Sequence, residues 1–249
     1  LCKMSFSKIL VISDNVYLAK AFLEIIERRI NQCINISLGC HESTYSALAR
    51  NISSDVPVNS YDLKNEGKKL GRIYDMVFSI HSKQIFPDDL INNARCINVH
   101  SGLNPYNRGW YPQVFAIMNG LPYGATIHEM DSKVDHGPII CQKNVEIFPE
   151  DTSLSVYNRV IAAELELIDA NVGNIINDCY SSYSPPLTEG NLNTIKDFND
   201  LLELDLSEVG SMKYFIDKFR ALTHDGYKNA YFIDDITGDK IYVAINLER

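Results

Sequence analysis

Cys96-Ile-Asn-Val-His-Ser-Gly-Leu-Asn-Pro-Tyr-Asn-Arg-Gly109 is the stretch on which the fold turns. It opens as an apolar run of the length of one buried strand, and Gly102, Asn104, Pro105 and Gly109 then end that strand in a loop. Asn98 and His100 stand one residue apart, and alternate residues of a strand share a face, so both side chains point the same way. Polar groups at the end of a buried strand, beside a loop, are where α/β proteins place chemistry. Further along, Asp131-Ser-Lys-Val-Asp-His-Gly-Pro-Ile-Ile140 sets Asp135 in a loop ahead of a second apolar run. An acid aimed at an imidazole raises its pKa and fixes its tautomer, so Asp135 beside His100 would let the ring take a proton near neutrality. Asn98 has an amide N–H to offer a developing oxyanion. Taken singly, a histidine after a strand reads as a satisfied polar residue and an aspartate near glycine as a turn former. Taken together, with Arg108-Gly109 and Gly124-Ala-Thr-Ile-His128 at their spacings, they read as a site.

Working outward, Lys8-Ile-Leu-Val-Ile-Ser13 reads as a buried strand, followed by helical spacing from Tyr17 to Ile30 with Leu18, Phe22, Ile25, Ile26 and Ile30 on one face. No glycine fingerprint lies in the turn between them, so a dinucleotide cofactor is not indicated. Residues 34–38 form a second strand and 43–50 a short helix, while 57–70, with Lys64-Asn-Glu-Gly-Lys-Lys69, reads as a polar surface segment. Strand 75–80, helix 88–94 and the strand carrying His100 follow. Strands alternating with helices imply right-handed crossovers and a parallel sheet, hence a Rossmann-like α/β fold. Beyond it come a helix at 110–119, two strands at 124–130 and 139–147 joined by the Asp135 loop, and a long helix from Asp151 to about Ile176, broken by 181–186. Residues 190–210 read as a connection and 211–222 as an amphipathic helix. Residues 227–233 and 240–246 flank Asp234-Asp-Ile-Thr-Gly-Asp239 as a β-hairpin.

A chain of 249 residues, 45% apolar, can bury a full core. We expect a catalytic domain over residues 1–185 and a C-terminal linker, helix and hairpin over 186–249. The formal charge of −9 argues against a nucleic-acid partner, which needs Lys and Arg in excess. Cysteines 2, 33, 40, 96, 141 and 179 contain no CxxC pair, so neither a zinc site nor a disulfide framework is expected, and no metal is assigned. No apolar stretch reaches the ~20 residues of a membrane span, and Leu1-Cys-Lys-Met4 opens no signal-peptide core, so a cytoplasmic, membrane-free protein is expected.

Asn98-x-His100, Pro105, Arg108-Gly109, Gly124-x-Thr126-x-His128 and Asp135-x-Gly137-Pro138-Ile139 together resemble the signature of the N10-formyltetrahydrofolate-dependent formyltransferases. The resemblance runs over roughly residues 7–180 and departs at His100-Ser-Gly-Leu-Asn-Pro105, where many members read His-Pro-Ser-Leu-Leu-Pro. Arg220-Ala-Leu-Thr-His-x-x-Tyr-Lys-Asn-Ala-Tyr-Phe232 is similar to the dTDP-amino-sugar branch that serves surface-polysaccharide synthesis, above all enzymes acting on dTDP-4-amino-4,6-dideoxyglucose.

The resemblance implies a formyltransferase fold with Asn98, His100 and Asp135 as catalytic residues and no metal. Ile85-Phe86-Pro87 is an apolar loop after a strand, the slot a flat pteridine needs. By resemblance Ile85, Phe86, Pro87, Asp131 and Val134 hold the folate. Asp14 and Asn15 are implied to line the substrate site, though a helix cap accounts for them equally. Arg108 is a candidate for the pyrophosphate or for orienting the loop, and a structural salt bridge accounts for it nearly as well. Gly109 joins it among the substrate-binding residues, and Arg220, Tyr227 and Asn229 are candidates for the nucleotide. Acceptors with a 3-amino group, hydrolysis of the folate and a binding module without turnover stay open at this point. The apolar hairpin residues Tyr231, Ile233, Ile241, Val243 and Ile245 exceed what a protruding hairpin tolerates in water, so a homodimer is expected.

Overall fold

In the computed structural model, residues 6–31, 33–184 and 190–249 are described. The expected β–α alternation runs β1 (Lys8–Ser13), α1 (Val16–Arg29), β2 (Asn35–Cys40), α2 (Glu42–Asn51), β3 (Val58–Ser60), α3 (Leu63–Ile73), β4 (Met76–Ile80), α4 (Asp88–Ile91) and β5 (Arg95–His100). Then follow β6 (Arg108–Gly109), α5 (Pro112–Asn119), β7 (Gly124–Glu129), β8 (Ile139–Asn144), α6 (Ser153–Ile176), β9 (Leu192–Asn193), α7 (Ile195–Asn199), α8 (Met212–Leu222), β10 (Tyr231–Ile233) and β11 (Lys240–Tyr242). The chain forms two compact units, one of Leu1–His100, Ala125–Lys143 and Glu164–Pro185, the other of Ser101–Gly124, Asn144–Ala163 and Pro186–Arg249.

The first unit is built on a sheet in the order β3-β2-β1-β4-β5-β7-β8. It is parallel from β3 to β5, and β7 runs antiparallel to β5. Strand order reverses about β1, whose neighbours are β2 and β4, and the crevice beyond such a reversal is where open α/β sheets bind ligands. Ile9, Leu10, Val11 and Ile12 of β1 and Met76, Val77, Phe78 and Ile80 of β4 are buried, as strands covered on both faces require. Each such side chain contributes roughly 1.5–3 kcal/mol by leaving water. Helix α1 lays Leu18, Ala19, Phe22, Ile25 and Ile26 against the sheet, with Phe22 and Phe78 ring centroids 5.1 Å apart.

The polar segment 57–70 departs from the expectation: it supplies β3 and most of α3. Leu63 and Leu70 alone carry the apolar face of α3, seven positions apart, which is too sparse to stand out among the lysines. Gly67 and Gly71 let the helix approach closely, since a Cβ on Gly67 would lie 2.4 Å from Pro87 Cγ and one on Gly71 2.8 Å from Asn93 Cβ. Helix α4 is a single turn, shorter than expected.

In the second unit α8 packs on α5. The expected connection 190–210 contains β9, paired with β6, and α7, which is opened by a Thr194–Asp197 capping box. An aspartate in place of the usual Glu or Gln hid that helix start. The hairpin is shorter than expected because the flanking residues bond elsewhere: Tyr227 N donates to His224 O, Asn229 Nδ2 to Leu222 O, and Ile245 N to Thr223 Oγ1. Cys33, Cys40, Cys96 and Cys141 are free. The break expected over 181–186 lies partly outside the described residues.

Candidate active site

The register of the sheet assembles the site. Asn98 of β5 sits opposite His128 of β7, and His100 opposite Thr126. The loop from β7 to β8 returns Asp135 over these residues through a left-handed backbone at φ 46°. Gly137 makes that return possible, since a Cβ there would stand 1.9 Å from Glu129 O. Asp135 Oδ2 lies 3.5 Å from His100 Nδ1, and Asp135 Oδ1 accepts from Asn98 Nδ2 at 2.8 Å. The same amide nitrogen lies 3.2 Å from His128 Nε2, while His128 Nδ1 lies 2.7 Å from Glu129 O. The Asp135 carboxylate can only accept, and this fixes the Asn98 amide with its nitrogen inward. Thr126 is fully buried and accepts from Gln142 Nε2 at 3.0 Å.

His100 is 7% exposed, and its Nε2 is buried without a hydrogen-bond partner among the described residues. An imidazole nitrogen without a hydrogen-bond partner is one that can exchange a proton with a substrate. Burial lowers the His100 pKa below its ordinary 6.5, with Asp135 and Glu164 pulling it up and His128 and His81 pulling it down. Burial thus lowers the His100 pKa, while Asp135 raises it as expected. Desolvation of the imidazolium outweighs the carboxylate at 3.5 Å, some of whose charge is already engaged by Asn98.

The folate candidates divide. Ile85 is 78% exposed and Val134 45% exposed, two apolar side chains open to solvent in loops of the first unit. Phe86 is a core residue, packed with Leu10, Leu63 and Leu90, so only its backbone is available to a ligand. Pro87 caps α4. Asp131 holds the loop itself, accepting from Lys133 N at 2.9 Å and pairing with His136 Nδ1 at 2.7 Å.

The substrate candidates carry structural duties. Asn15 caps α1 by accepting from Leu18 N. Asp14 joins three strand ends, accepting from His41 N at 3.0 Å and Lys83 N at 2.8 Å. In the second unit Gly109 adopts φ 87° and Arg108 lies in β6, half-buried. Arg220 is buried, its Nε donating to Asp217 Oδ1 and its Nη1 to the carbonyls of Phe148 and Asp151. Asn229 is tied to Leu222 O, whereas Tyr227 is 72% exposed.

His81 and Glu164 were not singled out from the sequence, yet they form a buried ion pair, His81 Nε2 lying 3.0 Å from each Glu164 oxygen. The available signal was Glu164 itself, an acid at apolar-face spacing from Val160 and Ile168. Among the described residues there is no group of His, Cys, Asp and Glu suited to a metal ion, and no helix long and apolar enough to cross a membrane.

A family model described as formyl transferase matches residues 59–172, and one described as the N-formyltransferase dimerization C-terminal domain matches residues 197–249. The dTDP-4-amino-4,6-dideoxyglucose formyltransferase of Mycobacterium tuberculosis is 50% identical over 175 residues, 70% of this chain and 74% of that protein. The crystal structure of a 4-N formyltransferase from Francisella tularensis is 42% identical, with a TM-score of 0.91 over 98% of each chain. The X-ray structure of a sugar N-formyltransferase from a Shewanella species is 35% identical, with a TM-score of 0.87 over 98% of each chain.

Proposed function

The chain belongs to the formyltransferase family, and from that premise we propose that it transfers a formyl group from N10-formyltetrahydrofolate to the amine of a dTDP-linked amino-dideoxy sugar, dTDP-4-amino-4,6-dideoxyglucose. The observation that carries the chemistry is the Asn98–His100–Asp135 cluster, with His100 Nε2 buried and without a hydrogen-bond partner among the described residues. His100 Nε2 takes the proton that the attacking amine loses as its nitrogen joins the formyl carbon. It returns that proton to N10 as the bond between N10 and the formyl carbon breaks, so no metal is called for. Once protonated, the Nε2–H also faces the negative charge that builds on the formyl oxygen. Asp135 orients the ring through Nδ1 and supports its charged form. Asn98 spends its N–H groups on Asp135 and His128 here, so it reaches the oxygen by exchanging one of those bonds.

Ile85 and Val134, apolar and exposed, suit the faces of a pteridine, with the Phe86 and Pro87 backbone and Asp131 beside them. Tyr227 suits the base, and Arg108 and Gly109, with Asp14 and Asn15, complete the candidate substrate contacts. The division into a catalytic domain of residues 1–185 and a C-terminal region of residues 186–249, and assembly into a homodimer through the latter, belong to the same reading, supported by the dimerization-domain match. A cytoplasmic location suits its substrates.

The test is incubation of the full chain with the formyl folate and either the 4-amino or a 3-amino dTDP sugar, read by mass. Gain of one formyl group on the 4-amino sugar is expected. Formylation of only the 3-amino sugar would move the acceptor position, and release of formate without added sugar would make the chain a hydrolase.

A further inference from the structure

We propose that the Asp131–His136 pair is a clasp that positions Asp135, with His136 as the residue that closes it. This rests on the catalytic reading of Asp135 given above. The loop from β7 to β8 must bring one carboxylate to three partners. Asp135 Oδ1 lies 2.8 Å from Asn98 Nδ2 and 3.6 Å from His128 Nε2, and Asp135 Oδ2 lies 3.5 Å from His100 Nδ1. Catalytic groups have to be held to within roughly 0.5 Å of their place. Yet Ser132, Lys133 and Val134, the residues leading up to Asp135, are exposed, so packing does little to hold the loop. Asp135 itself adopts φ 46°, a left-handed backbone that side chains seldom take unless their surroundings impose it.

The loop's own polar groups supply that hold. Asp131, at its start, accepts from Lys133 N at 2.9 Å through Oδ1 and from His136 Nδ1 at 2.7 Å through Oδ2. A carboxylate accepts, so Nδ1 of His136 carries the proton. The first bond turns the chain back directly after Asp131. The second joins the residue that opens the loop to the one that follows Asp135, and so closes residues 131–136 into a ring. At the base, Glu129 N donates to Pro138 O at 2.9 Å, and Gly137 packs so closely that a Cβ there would stand 1.9 Å from Glu129 O. The base fixes where the loop leaves the sheet, and the clasp fixes the direction in which Asp135 points.

Global stability accounts for the pair less well. Its side chains are partly exposed, 27% for His136 and 36% for Asp131, and an ion pair in contact with water contributes little to the folded state. Both Asp131 oxygens are engaged inside the loop, so the carboxylate serves its geometry. With the clasp open, residues 132–136 are free to turn, and Asp135 leaves Asn98 and His100 while the strands that carry those two stay in place. A displacement of about 1 Å at a reacting centre can cost on the order of 10²-fold in rate.

The test pairs turnover with an NMR signal, both on the full chain. H136A and D131A each open the clasp and should lower kcat by roughly 10–10²-fold with the melting temperature near wild type. H136N returns a donor to the place of Nδ1 and should recover most of the loss. D135G has no carboxylate to place and suits the left-handed backbone. In that background, H136A should change kcat by no more than about twofold. Independently of turnover, the Asn98 side-chain amide signal, assigned through N98A, reports the bond to Asp135, and H136A should move it toward its position in D135G. Equal losses from H136A with and without the Asp135 carboxylate overturn the proposal. So does an H136N no better than H136A, or an unmoved Asn98 signal in folded H136A. Failure of both H136A and D131A to fold also overturns it, by assigning the clasp to stability. If the wild type formylates no amino sugar, the functional reading falls, while the Asn98 signal still decides whether the clasp holds Asp135.

Discussion

In the proposed mechanism the chemistry is concentrated in one nitrogen, His100 Nε2. H100N should leave the melting temperature near wild type and cut kcat by roughly 10²–10⁴-fold, the usual share of a general base; near-normal turnover in the folded variant would exclude the role. The pH dependence follows from the direction of its shift. A base whose pKa is lowered stays unprotonated further into acid, so the acid limb of kcat/KM should lie below the ordinary histidine value of 6.5. D135N removes an attraction that raises the pKa, so its acid limb should move lower still while its kcat falls. A limb that moves upward would contradict the pairing. Asn98, His100 and Asp135 were legible because strand periodicity and loop residues place them whatever surrounds them. His81 and Glu164 were not, because they lie far apart in sequence and only the packing of α6 joins them. The sign of the His100 shift was equally hidden, since burial depth is a property of the folded core.

At the scale of elements, the Asp135 loop depends on Gly137. G137A would drive a methyl group into Glu129 O, so the loop must move and Asp135 with it. We expect a loss of kcat comparable to that of D135N with the secondary structure intact by circular dichroism; a fully active G137A would show that the acid's placement is not critical. Asp151, at the start of α6, accepts from Phe148 N and Ser155 Oγ and pairs with Arg159 at 2.9 Å. These partners hold its pKa below the ordinary carboxylate value, so its stabilising effect is complete above that value and is lost as pH falls through the depressed one. D151N should cost on the order of 1.5–3 kcal/mol at neutral pH, a deficit that shrinks in acid. Denaturant midpoints at several pH values would check it. Periodicity revealed α1, α6 and α8 because each carries a broad apolar stripe. It missed α3, whose contact is made by two leucines and two glycines, a surface that carries little hydropathy.

For the whole molecule, the exposed apolar residues of the second unit matter most: Val209 at 97%, Ile236 at 94%, Met212 at 74% and Leu206 at 67%. The expected homodimer would bury such surface, and truncation after Thr223 should yield a monomer or an aggregate. Sedimentation of both forms at micromolar concentration decides it, since a monomeric full chain or a dimeric truncation would refute this interface.

The chain passes between its two units after His100, Gly124, Lys143, Ala163 and Pro185, and the crossing after Ala163 falls inside the continuous helix α6. Neither unit is therefore a cassette of contiguous sequence. A single crossover between two related genes would exchange pieces of both units at once, and one placed at the boundary after Ala163 would divide helix α6. To replace one unit whole would take several separate exchanges along the chain, so a change made to one unit alone is a change of substitutions and loops.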